Sequence, residues 1–349
     1  MEAATALLQR GNLSRQKSES FRFTTGHRLP IIVDGLLESK PILGVNPMSY
    51  SKYLLATLMM ILVVTGCSPG TPPGESGNQL QIYASVYPLA DFAEKIGGKH
   101  VSVTLLVPPG VEPHDFEPSA KDLAGLSRAD VFIYNGVGFE AWIDQAKEIL
   151  DPERTVIVSA VESIELLQAG EFRDTDPHVW LDPLRAKKQA KNIRDALIKA
   201  DPDHAEDYRT NFRKLSRRFD ELHRTFTETV ERAEKREFIV SHAAFGYLAD
   251  RYGLRQIAIS GLSPSDDPGP KALKAVIETA KKHRVKVIFF DSLVPGKVAR
   301  TVKDEVGAEA LVLNPLEGLT PQEAEAGEDY FSIMKKNAEN LGKALGTKS

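Results

Sequence analysis

Eight histidines are spread along the 349-residue chain, and three of them sit in segments rich in proline, glycine or aspartate, or at the end of a strand-like run. His114 lies in PPGVEPHDFEPS, His178 in DTDPHVWLDP and His242 in FIVSHAAFGY, while Glu317 holds a comparable place in LNPLEGLT. In each case a strand or a Pro-rich loop would deliver the side chain to a strand's far end. Three neutral imidazoles and one carboxylate suit zinc, a borderline-soft ion that prefers four ligands in a tetrahedron. Neighbouring carboxylates would fix the imidazole tautomers. Asp182, four residues after His178, is the main candidate, with Asp115 and Asp176 behind it. Spacing alone does not decide the matter. Successive members are 64, 64 and 75 residues apart, with no short motif such as HExxH to tie them. A single histidine in such a loop is more often a surface or packing residue. His204 and His223 read as solvated positions on a helix, and His283 suits the C-terminal end of a lysine-rich helix. His100 reads as a turn residue, His27 falls in the N-terminal segment, and Trp142 and Trp180 read as packing residues.

The elements that must position these side chains alternate between strand and helix. Gln81–Val86, Val101–Val107, Asp130–Tyr134 and Thr155–Ser159 read as strands, with helices over Tyr87–Gly97, Ser119–Ala129 and Glu140–Leu150. Further on, strands are expected over Glu237–Ser241, Arg255–Ile259, Val285–Phe290 and Ala310–Leu313. Helices are expected over Ala244–Tyr252, Lys271–His283, Lys297–Val306 and Tyr330–Leu345. Such βα alternation implies parallel sheets covered by helices. Between the two runs, Tyr208, Phe212, Leu215, Phe219, Leu222, Phe226 and Val230 recur every three or four residues. That stripe predicts one amphipathic helix over Asp201–Lys235, about 50 Å long at 1.5 Å per residue. The expected fold class is therefore α/β: two lobes, each a mostly parallel sheet flanked by helices, joined by one long rigid helix. The expected boundaries are 80–200 for the first lobe, 201–235 for the linking helix and 236–349 for the second lobe.

The N-terminus reads as an address. Leu54–Gly66 is apolar and has the length of a secretory h-region, too short for the roughly 20 residues that span a bilayer. Val64-Thr65-Gly66-Cys67 resembles a bacterial lipobox, which makes Cys67 the expected lipidation site and first mature residue. A Pro/Gly/Ser-rich tether follows over residues 67–79. Residues 1–66 are expected to be a signal peptide preceded by an over-extended start, with translation beginning at Met48. Composition narrows the field further. Lys and Arg total 44 against 48 for Asp and Glu, a net charge of −4 that offers no footprint for nucleic acid. A single cysteine excludes an internal disulfide and a cysteine-type zinc cluster.

Taken together, ASVYPLADFAEKIGG, PPGVEPHDFEPS, ADVFIYNGVGFEAW, DPHVWLDP, SHAAFGYLADRYGL and NPLEGLT resemble the metal-specific solute-binding proteins of ABC importers, the zinc/manganese cluster. The resemblance runs from about Leu80 to Leu345. It implies two α/β lobes bridged by one long helix, and a monomeric receptor rather than an enzyme. Such a receptor is lipid-anchored on the outer face of a Gram-positive cell membrane and passes its ion to an ABC permease. It also implies that His114, His178 and His242 are the three imidazole ligands and Glu317 the fourth ligand, with Asp291 in FFDSLVPG as the alternative fourth. Manganese-type members tend to carry a carboxylate at the third position. His242 stands there, which makes Zn²⁺ the expected ion over Mn²⁺. The His- and acid-rich loop of many zinc members is replaced by the short, histidine-free Leu166–Pro177. A manganese receptor or a surface adhesin of the same family is the competing reading. A zinc hydrolase with Glu317 as general base is a third, and no catalytic motif supports it.

Overall fold

The computed structural model describes residues 79–168, 174–266, 269–294 and 296–347. The signal segment, Met48, Cys67 and nearly all of the tether lie outside these residues, as does the middle of the Leu166–Pro177 segment.

Two four-stranded sheets form the frame, both parallel throughout. The first comprises β1 (Leu80–Ala84), β2 (Val101–Leu105), β3 (Val131–Tyr134) and β4 (Val156–Ser159) in the order β2-β1-β3-β4. Leu80 pairs with Val101, Ile82 with Val131, and Val131 with Val156. The second comprises β5 (Glu237–Val240), β6 (Arg255–Ala258), β7 (Val287–Phe290) and β8 (Glu309–Val312) in the order β6-β5-β7-β8. The two orders are the same pattern repeated. In each, the first strand of the unit lies inside the sheet and the next strand pairs on its outer side. Near-continuous apolar runs such as VFIY and VIFF belong on strands covered on both faces, and both are largely buried.

Helices α1 (Tyr87–Gly97), α2 (Ala120–Leu126) and α3 (Ile143–Glu148) flank the first sheet; α6 (Gly246–Tyr252), α7 (Pro270–Lys282) and α8 (Lys297–Val306) flank the second. Between the two sheets run α4 (Pro183–Ala200) and α5 (Ala205–Glu231), and the chain closes with α9 (Pro321–Glu325) and α10 (Tyr330–Leu345). The linking helix α5 has 27 residues, about 40 Å, and is shorter than the stripe predicts. Pro202–His204 forms a 3-10 turn before it, a common way for a proline-headed helix to begin. At its other end the backbone N–H groups of Glu234 and Lys235 donate to Leu345 O, which draws the chain out of the helix toward α10.

Phe219 of α5 packs on Phe92 of α1 and on Tyr330 and Phe331 of α10, with ring centroids 5.2, 5.7 and 4.9 Å apart. One apolar core thus runs through both lobes along α5, with smaller clusters under the outer helices of each sheet. Helix α4 is absent from the sequence expectation. Its signals are nonetheless present: Asp182 accepts a hydrogen bond from Leu184 N as the N-cap, and Pro183 opens the first turn. Ala186, Ala190, Ile193 and Leu197 form its buried stripe.

Candidate metal centre

Each of the four side chains arrives on an irregular segment beyond the C-terminal end of a strand, the usual place for ligands in open α/β sheets. His114 sits in a 3-10 turn, Pro113–Asp115, on the loop after β2; the Glu112 side chain accepts from its backbone N–H at 3.2 Å. His178 stands at the start of a second 3-10 turn, Val179–Leu181, which leads into α4. His242 follows β5 by two residues. Glu317 lies beyond β8, next to Leu316 with φ of 57°. That left-handed conformation is costly for a branched residue and is held by asparagines. Asn314 Oδ1 accepts from Leu316 N at 2.7 Å, while Asn337 of α10 accepts from Asn314 N at 2.9 Å and donates to Asn314 O at 2.7 Å. The Trp180 indole donates to Pro315 O at 2.8 Å, and Tyr330 OH donates to Trp180 O at 2.5 Å. The two tryptophans pack as foreseen; Trp180 in addition ties the His178 turn to the Glu317 segment.

The three Nε2 atoms converge on one carboxylate oxygen. Glu317 Oε1 is 3.0 Å from His178, 3.1 Å from His242 and 3.5 Å from His114. One ligand atom from each of the four residues lies within 4.8 Å of the others. A tetrahedral ion with bonds of roughly 2.0–2.2 Å places its ligands roughly 3.3 Å apart, close to the distances from the three rings to Glu317 Oε1. Exposure of the side chains is 0% for His178 and Glu317, 1% for His242 and 10% for His114. Phe139 covers the His114 ring at 4.6 Å between centroids, and Trp180 covers His178 at 5.6 Å. Glu317 Oε2 and His114 Nε2 are buried without a hydrogen-bond partner. Buried polar atoms are seldom left so, and a cation among the four groups would satisfy both.

The electrostatics are those of a cation site. Burial opposes ionisation of the His178 ring, yet its hydrogen bonds to Asp176 and Glu317 hold it above its ordinary pKa. Burial likewise opposes charge on His242, but the Glu317 and Asp291 carboxylates outweigh it and push the ring up to about 10. Burial works against the Glu317 anion, and the His242 charge together with the three rings gathered on its Oε1 overcomes it and holds the carboxyl well below its usual range.

The carboxylates around the site are distributed differently from the sequence expectation. Asp176 is the group that fixes His178: its Oδ1 lies 2.9 Å from Nδ1 and also accepts from the backbone N–H at 2.9 Å. Asp182 does not serve a histidine. Its carboxylate is taken by Arg251, by Arg185 and by the N-terminus of α4, because two guanidinium groups outcompete an imidazole for a buried anion. Asp115 accepts from Ser265 Oγ at 2.7 Å instead of holding an imidazole. Asp291, the alternative fourth ligand, stands behind His242 with Oδ2 3.2 Å from Nδ1, on the far side of the ring from Glu317. Glu112 is a further carboxylate beside the site that the sequence expectation lacks. Burial and the charge of Glu317 push its carboxyl up to about 8. The Glu-Pro-His order, in which the acid caps the turn that presents the histidine, was the available signal.

Residues 82–344 match the protein family ZnuA, the periplasmic component A of the zinc-uptake complex. The high-affinity zinc uptake system protein ZnuA of Bacillus subtilis is 38% identical over 304 residues, covering 82% of this chain and 95% of that protein. The zinc-binding protein AdcA of Streptococcus pyogenes is 36% identical, and the match spans 55% of its length. Among solved structures, the Zn(II)-bound ZnuA-like domain of Streptococcus pneumoniae AdcA is 37% identical, with a TM-score of 0.68 over 76% of this chain and 99% of that domain. The laminin-binding protein Lmb of Streptococcus agalactiae, described as having adhesin and metal-transporting activity, is 30% identical, with a TM-score of 0.71 over 76% of this chain and 99% of Lmb. Fold, site and sequence agree: the chain belongs to the ZnuA family of zinc-uptake receptors.

Proposed function

We propose that this protein is the extracytoplasmic receptor of an ABC zinc importer, and that it captures Zn²⁺ between its lobes with His114, His178, His242 and Glu317. The observation that carries the reading is the convergence of three imidazole Nε2 atoms on one buried carboxylate oxygen. Three nitrogens and one oxygen favour zinc over manganese, which suits oxygen-rich sites. Glu317 has a ligand's place, within reach of all three rings, rather than that of a general base facing a substrate. Capture and release need no covalent step. The rings of Phe139 and Trp180 cover the histidines, so the ion exchanges its hydration shell for fixed ligands.

The proposed organisation is a signal segment to residue 66, a tether over 67–79, lobes over 80–200 and 236–349, and the linking helix between them. The proposed anchor is lipid on Cys67, which would hold a monomer beside its permease on the outer face of the membrane. Among the described residues no helix is long and apolar enough to cross a membrane. Elemental analysis of protein purified without added metal, followed by Zn²⁺/Mn²⁺ competition, tests the reading. One zinc per chain that manganese does not displace is expected; retention of manganese against zinc would reject it. Cys67→Ala is expected to release the protein from the membrane with unchanged zinc affinity, measured by fractionation and titration.

A further inference from the structure

The segments that carry the ligands are joined across the lobe divide by two very different sets of contacts. Asp182, fully buried, ends the 3-10 turn that begins at His178. Arg251 of α6 grips it with a fork: Nε lies 3.0 and 2.9 Å from the two carboxylate oxygens and Nη2 lies 2.7 Å from Oδ2. Arg185 of α4 donates to the same Oδ2 at 3.0 Å and to Asp250 of α6 at 2.9 Å. On the same helix Tyr247 OH donates to Asp176 O at 2.8 Å, beside the carboxylate that orients His178. Helix α6 is the helix that the His242 segment enters. The brace therefore connects the backbone beside His178 to the backbone beside His242 through buried and partly buried bonds, those of the two arginines being charge-assisted, the strong class of hydrogen bond.

The His114 loop is held by less. Gly110 N donates to Leu319 O at 2.7 Å, and Ser265 Oγ donates to Asp115 at 2.7 Å in an exposed position. Both bonds lack a cationic donor. His114 is also the most exposed of the four side chains and the farthest from Glu317 Oε1.

We infer that Asp182, Arg185 and Arg251 are positioning residues that keep His178 and His242 in register across the lobes, and that the ion enters and leaves past His114 while this pair stays fixed. The inference rests on the zinc-receptor reading above. It explains how a receptor whose lobes share one continuous core along α5 can exchange its ion without a wide hinge motion.

Stopped-flow zinc uptake and chelator-driven zinc release on the full chain test it, with zinc stoichiometry of the unaltered protein measured first. Ser265→Ala is expected to speed uptake and release together, several-fold each, with the dissociation constant within twofold of the parent. Arg251→Gln is expected to raise the release rate about tenfold, the scale of losing a ligand's supporting partner, with uptake unchanged. Arg251→Lys is expected to recover only part of this, because an ammonium cannot form the fork. If Arg251→Gln fails to fold, Asp250→Asn loosens only Arg185 and is expected to show a smaller rise in release. Parental rates in the brace variants, or a Ser265→Ala effect confined to affinity, would overturn the inference while leaving the zinc reading intact. A parent chain that binds no zinc would overturn both.

Discussion

In the N-terminal lobe, the buried imidazole of His178 is gripped by one carboxylate oxygen that accepts from both its ring and its backbone, each at 2.9 Å. In the C-terminal lobe, the equally buried His242 faces Asp291 at 3.2 Å, an ion-pair distance without an aligned hydrogen bond. Each lobe then adds one more proposed ligand: the N-terminal lobe a partly exposed imidazole, His114, and the C-terminal lobe the buried anion Glu317. The same sheet order thus supports two divisions of labour. One lobe supplies orientation, fixed by hydrogen bonds close in sequence. The other supplies charge, held in place by Asn314 and Asn337 and by the strained turn at Leu316. A metal site assembled between lobes needs both, and neither lobe carries the full set alone.

The sharpest break of this division is Glu317→Ala. It removes the single anion on which the three rings converge, and zinc affinity is expected to fall by more than about 100-fold, beyond the range for loss of a supporting partner. Competition with a chromogenic chelator measures it. Next come the two supporting aspartates, which should differ if the lobes do. Asp176→Asn is expected to weaken zinc about 10- to 100-fold, because it replaces an aligned acceptor of the ring N–H. Asp291→Asn is expected to cost about tenfold or less. Equal losses in the two variants, in the same titration, would erase the distinction between orientation and charge.

A separate effect concerns protons. Without metal, the His242 ring is pushed up to about 10 and holds a proton near neutrality, and the His178 ring is shifted toward its protonated form by Asp176 and Glu317. Glu317 is already ionised there. Zinc must displace the ring protons, and its affinity therefore rises with pH. An increase of about 10- to 100-fold per pH unit between pH 6 and 8 corresponds to one to two protons released per ion. Calorimetry in buffers of different ionisation enthalpy counts those protons directly.

Much of this arrangement is written locally in the chain. The parallel sheets follow from runs such as VFIY and VIFF, and the four converging side chains share a setting beyond strand ends that their types and loops already suggest. Other parts are written only in the tertiary structure. Asp182 lies four residues from His178 and looks like its natural support, yet Arg251, 69 residues further on, claims the carboxylate. Asp176, two residues before His178, meets the ring with the same oxygen that accepts from the His178 backbone N–H. Nothing adjacent to Glu317 foretells that Asn337, 23 residues away from Asn314, braces its turn. Helix α4 is a different case. Its cap, its proline and its apolar spacing are all local, and they specify the helix without help from the tertiary structure.

The central claim is the identity of the four ligands, and X-ray absorption at the zinc edge of the loaded, full-length protein tests it most directly. Three imidazole nitrogens at roughly 2.0–2.1 Å and one carboxylate oxygen at roughly 2.0–2.2 Å, with no sulfur, are expected. In Glu317→Ala the three imidazole contributions should remain and the carboxylate be lost, with water taking the fourth position. A sulfur scatterer at about 2.3 Å, which only a cysteine or methionine could supply, or fewer than three imidazoles, would contradict the account.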